Sequence, residues 1–230
     1  MPGHQQERAH HSHDHHGDGP TDVVLNEAFW DERYYSSSTL WSGHVNPQLV
    51  TEVADLPAGA ALDVGCGEGA DAIWLAERGW QVTAVDLSTV ALERGAAHAV
   101  EVSADVAQRI TWLHADLTEW VPAPASYGLV SAQFLHLPKK EREPLHRRLA
   151  ESVRPGGTLL VVGHHPSDLQ TSVPRPTLPG LFFTASEVAS ALAAGEWVTL
   201  VDEARARQTL DPDGRPTTIH DAVLRAQRRN

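Results

Sequence analysis

The stretch Ala60-Ala61-Leu62-Asp63-Val64-Gly65-Cys66-Gly67-Glu68-Gly69-Ala70 decides the fold. Small and apolar residues run into Asp63, glycines alternate at Gly65, Gly67 and Gly69, and a helical pattern opens at once with Asp71-Ala72-Ile73-Trp74-Leu75. The order is strand, glycine turn, helix. Glycines at such a turn permit positive φ and remove the Cβ atoms that would hold a ligand off the backbone, as in the binding turn of a doubly wound α/β sheet.

The turn also fits the pattern G-x-G-x-x-A, in which a helix N-terminus holds a pyrophosphate. Here Glu68 and Asp71 occupy the first helical turn, Asp63 precedes it, and no Lys or Arg occurs between Asp55 and Glu77. Carboxylates satisfy the helix dipole themselves and repel a phosphate. A ligand carrying an amine and a sulfonium but no phosphate suits the turn better, and S-adenosylmethionine is such a ligand.

Leu62-Asp63-Val64-Gly65-Cys66-Gly67-Glu68-Gly69 resembles the first motif of class I S-adenosylmethionine-dependent methyltransferases, and later motifs extend the similarity over Phe29 to Leu224. Phe29-Trp30-Asp31-Glu32-Arg33-Tyr34, Trp41-Ser42-Gly43 and Asn46-Pro47 resemble the small-molecule branch that includes tellurite-resistance and thiopurine methyltransferases. The resemblance implies a Rossmann-like, seven-stranded, mostly parallel sheet with an antiparallel last strand lying between the fifth and sixth. It also implies that Asp63, with Gly65, Cys66 and Gly67, holds the methionine end through its amine or a water. Asp86, with Leu87, would hold the ribose, and Asp116 and the Leu117 amide the adenine. Gln133 and Trp41 are implied as further cofactor contacts, and Tyr34 or Tyr35 as facing the acceptor. The expected D-P-P-Y type motif of nucleobase amino methyltransferases is replaced by Ser131-Ala132-Gln133-Phe134, which disfavours that class.

Composition narrows the field further. The chain of 230 residues is long enough for one α/β domain, and 18 basic against 30 acidic residues give a formal charge of -12, unfavourable for gripping nucleic acid. No apolar run approaches a membrane span, and histidines stand where a signal peptide needs an apolar core, so the expected location is cytoplasmic and no membrane partner is expected. The single cysteine, Cys66, precludes an intramolecular disulfide and argues against arsenic methylation through several thiols. Residues 1 to 22 are polar and carry His4, His10, His11, His13, His15 and His16. This tail reads as disordered, with transition-metal binding incidental and no metal in the site, and the domain proper runs from 23 to 230.

Along the chain, a helix is expected around Glu27 to Tyr34, and Asn46 with Pro47 caps another to about Ala54. The first glycine-turn helix spans Glu68 to Arg78. Gln81 to Val85 is a strand ending in Asp86, where a carboxylate can accept ribose hydroxyls, and Ser88 caps a helix to about Val100. Ile110 to His114 and Tyr127 to Gln133 are strands. Leu145, Leu149 and Val153 share a helical face, Arg154-Pro155-Gly156-Gly157 is a turn, and Thr158 to Gly163 is a strand buried on both faces. Thr184-Ala185-Ser186-Glu187 is a capping box for a helix to about Ala194, and Trp197 to Glu203 pairs with Thr218 to Ala226.

Ligands of open α/β sheets sit at the carboxyl ends of the strands, and adjacent strand residues point to opposite sides. His164 or His165 at the end of the fifth strand is therefore expected to face the methyl group, under a lid from Pro166 to Phe183 that carries Arg175. An inward imidazole could act as a base or, protonated, hold an oxyanion. The reading is methyl transfer from S-adenosylmethionine to a small-molecule acceptor. The rivals are an NAD-dependent oxidoreductase, which lacks a Tyr-x-x-x-Lys pair and meets Glu68, and a non-catalytic S-adenosylmethionine or metal sensor.

Overall fold

The computed structural model describes residues 25–37, 43–175 and 180–230; the histidine-rich segment and Trp41 lie outside these. Helices α1 (Glu27–Tyr35) and α2 (Pro47–Val53) precede the alternating units β1 (Ala60–Val64), α3 (Ala70–Glu77), β2 (Gln81–Asp86) and α4 (Thr89–Val102). A short α5 (Ala104–Gln108), β3 (Ile110–His114), β4 (Tyr127–Gln133), α6 (Lys139–Ser152) and β5 (Val153–His164) follow. A 3-10 helix (Pro166–Gln170), α7 (Ala185–Ser190), β6 (Trp197–Leu210) and β7 (Pro216–Arg228) complete the chain.

The strands form one seven-stranded sheet in the order β3-β2-β1-β4-β5-β7-β6. The first five run parallel, and β7 is antiparallel to both β5 and β6. The sheet therefore carries its last strand between the fifth and sixth, as the sequence implies. The period of two in β5 divides the core. Leu159 and Val161 pack with α6 and α7 through Leu145, Leu149 and Val188, while Leu160 and Val162 pack on the other face with Leu49, Val53 and Leu75. A strand apolar on both faces is the expected centre of such a sandwich.

Departures from the expected boundaries have local causes. Gly69, at φ +80°, is the N-cap of α3, so the helix starts at Ala70 rather than Glu68. Ser103 accepts from the Val106 amide and starts α5, an element absent from the sequence reading. Arg154 to Gly157, the expected turn, lies within β5 as a bulge: the β4 register passes from Tyr127–Val153 to Leu129–Thr158, and Gly156 takes φ +74°. The capping box at Thr184 is present, but α7 ends at Ser190.

One packing constraint brings the glycine turn and α4 together. The Trp112 ring from β3 occupies the space a Cβ would take at both Gly69 and Gly95. At Gly95 an added Cβ would lie 2.6 Å from the indole and 3.2 Å from the Glu68 backbone. In an ordinary helix interior, Gly→Ala gains about 1 kcal/mol of stability. Here Gly95→Ala should instead cost about 1–3 kcal/mol by overpacking, read as a lower urea midpoint. A raised midpoint would show that the ring does not fill this gap.

Candidate active site

The site begins where β1 and β2 end. The Gly65 and Cys66 amides donate to the Val85 carbonyl at 2.8 and 3.1 Å, and the Gly67 amide donates to Asp86 Oδ2 at 2.8 Å. Gly65 and Gly67 have φ of +69° and +53°. Asp86 Oδ1 accepts from the Ser88 amide at 2.9 Å, so one carboxylate ties the turn to the start of α4. Helix α1 is docked on the same start, with Asp31 accepting from the Ser88 hydroxyl and the Val90 amide. Arg94 from α4 pairs with Glu68 at 3.0 Å. The charge that Glu68 was expected to present at this turn is therefore already matched.

A carboxylate cluster remains. Asp63 is buried beneath the turn, and its Oδ2 has no hydrogen-bond partner. Burial, and then Asp71 and Asp86, push its carboxyl well above the ordinary range. Burial likewise raises Asp71 to about 6. Asp71 accepts from the Asn46 amide at 2.7 Å and from Gln133 Nε2 at 2.9 Å, and Gln133 Oε1 is itself buried without a partner. Asp86 is also raised, chiefly by burial and against its backbone hydrogen bonds. Clustered carboxylates and unpartnered acceptor oxygens fit a ligand that brings a cation with N–H donors.

These groups border a cavity of about 1640 Å³ at the carboxyl ends of β1 to β5, where the strand order reverses. Cys66, Gly65, Gly67, Asp86, Leu87, Asp116, Leu117 and Gln133 line it. Asp116 Oδ1 is turned back onto the Thr118 amide and hydroxyl at 2.8 and 2.7 Å. Asp63 lies just under the lining. Burial raises the Cys66 thiol well above its ordinary range. Nearby, His114 Nε2 lies 2.9 Å from the Leu87 carbonyl and 3.1 Å from Glu27, joining β3 to α1 across the rim.

The other end of the cavity is aromatic. Tyr34 is buried and lines the cavity where it packs with Trp30 against Val90 and Ala91 of α4, whereas Tyr35 is 73% exposed. His164 lines it with its ring centroid 4.8 Å from Phe134 and 6.1 Å from His136. Phe134 has φ +50°, a strained value for a non-glycine residue that turns the chain sharply at the end of β4. His164 Nδ1 is buried without a partner, and burial, then Arg175 and His136, lower the imidazole to about 4. His165 is placed differently: its Nδ1 accepts from the Ser167 amide at 3.2 Å and caps the 3-10 helix, outside the lining. No described residue of the expected lid lines the cavity: Leu181 and Phe183 are buried, Leu169 is exposed, and Arg175 is paired with the fully buried Asp168.

Sequence reading missed Gln48, Arg207 and Asp221. Asp221 is buried and accepts from Arg207 Nε at 2.9 and 3.1 Å and from Gln48 Nε2 at 3.1 Å. Four residues along α2, Glu52 pairs with Arg205 at 2.6 Å. Arg205-Ala206-Arg207 has the period of a strand with both arginines on one face, a signal that the alternation itself supplies.

A family model described as a methyltransferase domain matches residues 61–157. An uncharacterized methyltransferase of Mycobacterium tuberculosis is 34% identical over 162 residues, covering 68% of this chain and 75% of the relative. Thiopurine S-methyltransferase of Gluconobacter oxydans is 39% identical over 77 residues, 32% of this chain and 35% of that one. The crystal structure of 1,6-didemethyltoxoflavin-N1-methyltransferase from Burkholderia thailandensis, with 1,6-didemethyltoxoflavin and S-adenosylhomocysteine bound, superposes with a TM-score of 0.63 at 18% identity. That match covers 92% of this chain and 94% of the other. The chain belongs to the class I S-adenosylmethionine-dependent methyltransferases. It is an enzyme of methyl transfer, and S-adenosylmethionine is its cofactor.

A cofactor ammonium held by the carboxylate cluster would bind with a pH dependence of definite sign. A cation prefers ionised Asp63, Asp71 and Asp86, and their raised pKa values mean that protons must leave when it binds near pH 6. Affinity for S-adenosylhomocysteine, which keeps the ammonium, should weaken as pH falls from 8 to 5. Calorimetry in two buffers of different ionisation enthalpy should show proton release at pH 6. A constant Kd over that range would remove the cluster from the binding site.

Proposed function

We propose that this enzyme methylates a small-molecule acceptor whose nucleophile lies beside His164. The observation that carries the reading is the His164 Nδ1 atom: buried, unpartnered and on the wall of the cavity. An imidazole held near 4 is neutral at pH 7, so it can accept a proton from a hydroxyl or thiol and cannot serve as a cationic anchor. The size of the cavity and the acidic balance of the chain favour a small acceptor over nucleic acid.

S-Adenosylmethionine, when bound, supplies a methyl carbon already activated by the sulfonium. The chain's own task is to hold both partners in line and keep water away. In this reading Asp63 and Gln133 offer their unpartnered oxygens to the ammonium, Gly65, Cys66 and Gly67 line the methionine end, and Asp86 and Leu87 flank the ribose. Asp116 and Leu117 flank the adenine. Tyr34 shapes the acceptor end, and His165 positions the chain beyond β5 by capping the 3-10 helix. His164 takes the proton released as the acceptor's oxygen or sulfur is alkylated.

His164→Gln should leave affinity for S-adenosylhomocysteine unchanged while lowering kcat/KM for a confirmed acceptor by about 10²-fold or more, the scale of general-base catalysis. The wild-type rate should rise with pH through the region near 4 to 5 and not decline between 6 and 8. Loss of rate with rising pH, or wild-type kinetics in His164→Gln, would reject His164 as the base.

A further inference from the structure

Among the described residues, Arg207 is the only Lys or Arg that lines the cavity, whose other charged lining groups, histidines aside, are carboxylates. It stands at the end marked by His164. Across β5 and β7, His164 is directly opposite Asp221, and on β6 Arg207 is diagonal to Asp221, because Arg205 pairs with Asp221 and Arg207 with Ile219. Opposite and diagonal pairs on one sheet face lie within side-chain reach. Arg207 also contributes to keeping the His164 imidazole neutral, a sign of its proximity.

The guanidinium is held by one edge. Its Nε donates to both Asp221 oxygens, and neither terminal nitrogen makes a hydrogen bond among the described residues. Asp221, 1% exposed, is fixed from behind by Gln48, its charge is matched by Arg207, and three of its about four acceptor positions are taken by these two residues. Arg175, the other arginine near His164, is matched by Asp168. A planar guanidinium with four free N–H bonds suits a carboxylate, which it can meet bidentately. The cavity wall beyond His164 is aromatic, with Phe134, His136 and Trp30, the last two rings 5.5 Å apart and inclined at 52°.

We propose that Arg207 anchors the acceptor through an anionic group, so that the acceptor is a small aromatic carboxylic acid carrying its nucleophilic hydroxyl or thiol beside His164. Asp221 and Gln48 are positioning residues for that anchor. The proposal rests on the reading of this cavity end as the acceptor site.

The test uses the full chain with S-adenosylmethionine and a panel of hydroxy- and mercaptobenzoates, each beside its carboxamide, scored by S-adenosylhomocysteine release. A charge-assisted bidentate contact should give the acids at least about tenfold higher kcat/KM than their amides. Arg207→Gln should abolish that preference, and Arg207→Lys should keep part of it. Affinity for S-adenosylhomocysteine should stay unchanged in both variants. Equal turnover of acids and amides, an acid preference that survives Arg207→Gln, or no turnover of any acid by protein that binds S-adenosylhomocysteine overturns the proposal. Loss of S-adenosylhomocysteine affinity in Arg207→Gln also overturns it and assigns the arginine to the methionine carboxylate. Turnover of acids and amides that is unchanged in His164→Gln rejects the underlying placement of the acceptor instead.

Discussion

The hydrogen bond from the Gly67 amide to the Asp86 carboxylate is the constraint on which the site depends. It closes the turn after β1 onto the end of β2, and the second oxygen of the same carboxylate fixes the start of α4. Glycine is required because the turn passes through positive φ, and the carboxylate is required because two backbone donors converge on it. An ionised carboxylate has about four acceptor positions, and these two bonds leave room for further donors on its cavity side. The group that shapes the turn is thus also available to a ligand. Substituting Asp86 would disturb both roles at once.

The parallel half of the sheet was largely legible because its strands are continuous apolar runs bounded by turn residues. Ile110–His114 and Tyr127–Gln133 stand where the pattern puts them, and the caps at Asn46, Ser88 and Thr184 mark their helices. The motif resemblance supplied the strand order and the cofactor. Local patterns say nothing of pairs distant in sequence. Arg94 meets Glu68 only because Gly95 lets α4 approach the turn around Trp112. Arg207, Asp221 and Gln48 meet only through the antiparallel register of β6 and β7 and the placement of α2. The orientation of His164 against His165 follows from alternation, but which of them faces the cavity depends on the sheet around them.

The two ends of the cavity differ in physical character. Beneath the glycine turn, carboxylates are crowded together and desolvated: burial raises Asp63, Asp71 and Asp86, Asp71 and Asp86 raise Asp63 further, and the cluster favours an incoming cation. At the other end, the imidazole is kept neutral among aromatic rings and arginines. A methyl-transfer reaction begins with a cationic donor and ends with a neutral one, so the contrast separates the charge that must be held from the nucleophile that must stay unprotonated.

Helix α2 joins those two ends. Its cap residue Asn46 donates its amide to Asp71 in the carboxylate cluster, while Gln48 and Glu52, four residues apart on one face, hold Asp221 and Arg205. The helix is only seven residues long, so its attachments to the two ends lie within about two turns of each other. A displacement that improves one set of contacts strains the other. Were occupancy of the two ends linked through this helix, thermodynamic reciprocity would require that whatever the first ligand does to the affinity of the second, the second does equally to the first. The size of that coupling would be written in the attachments of α2 rather than in either pocket alone.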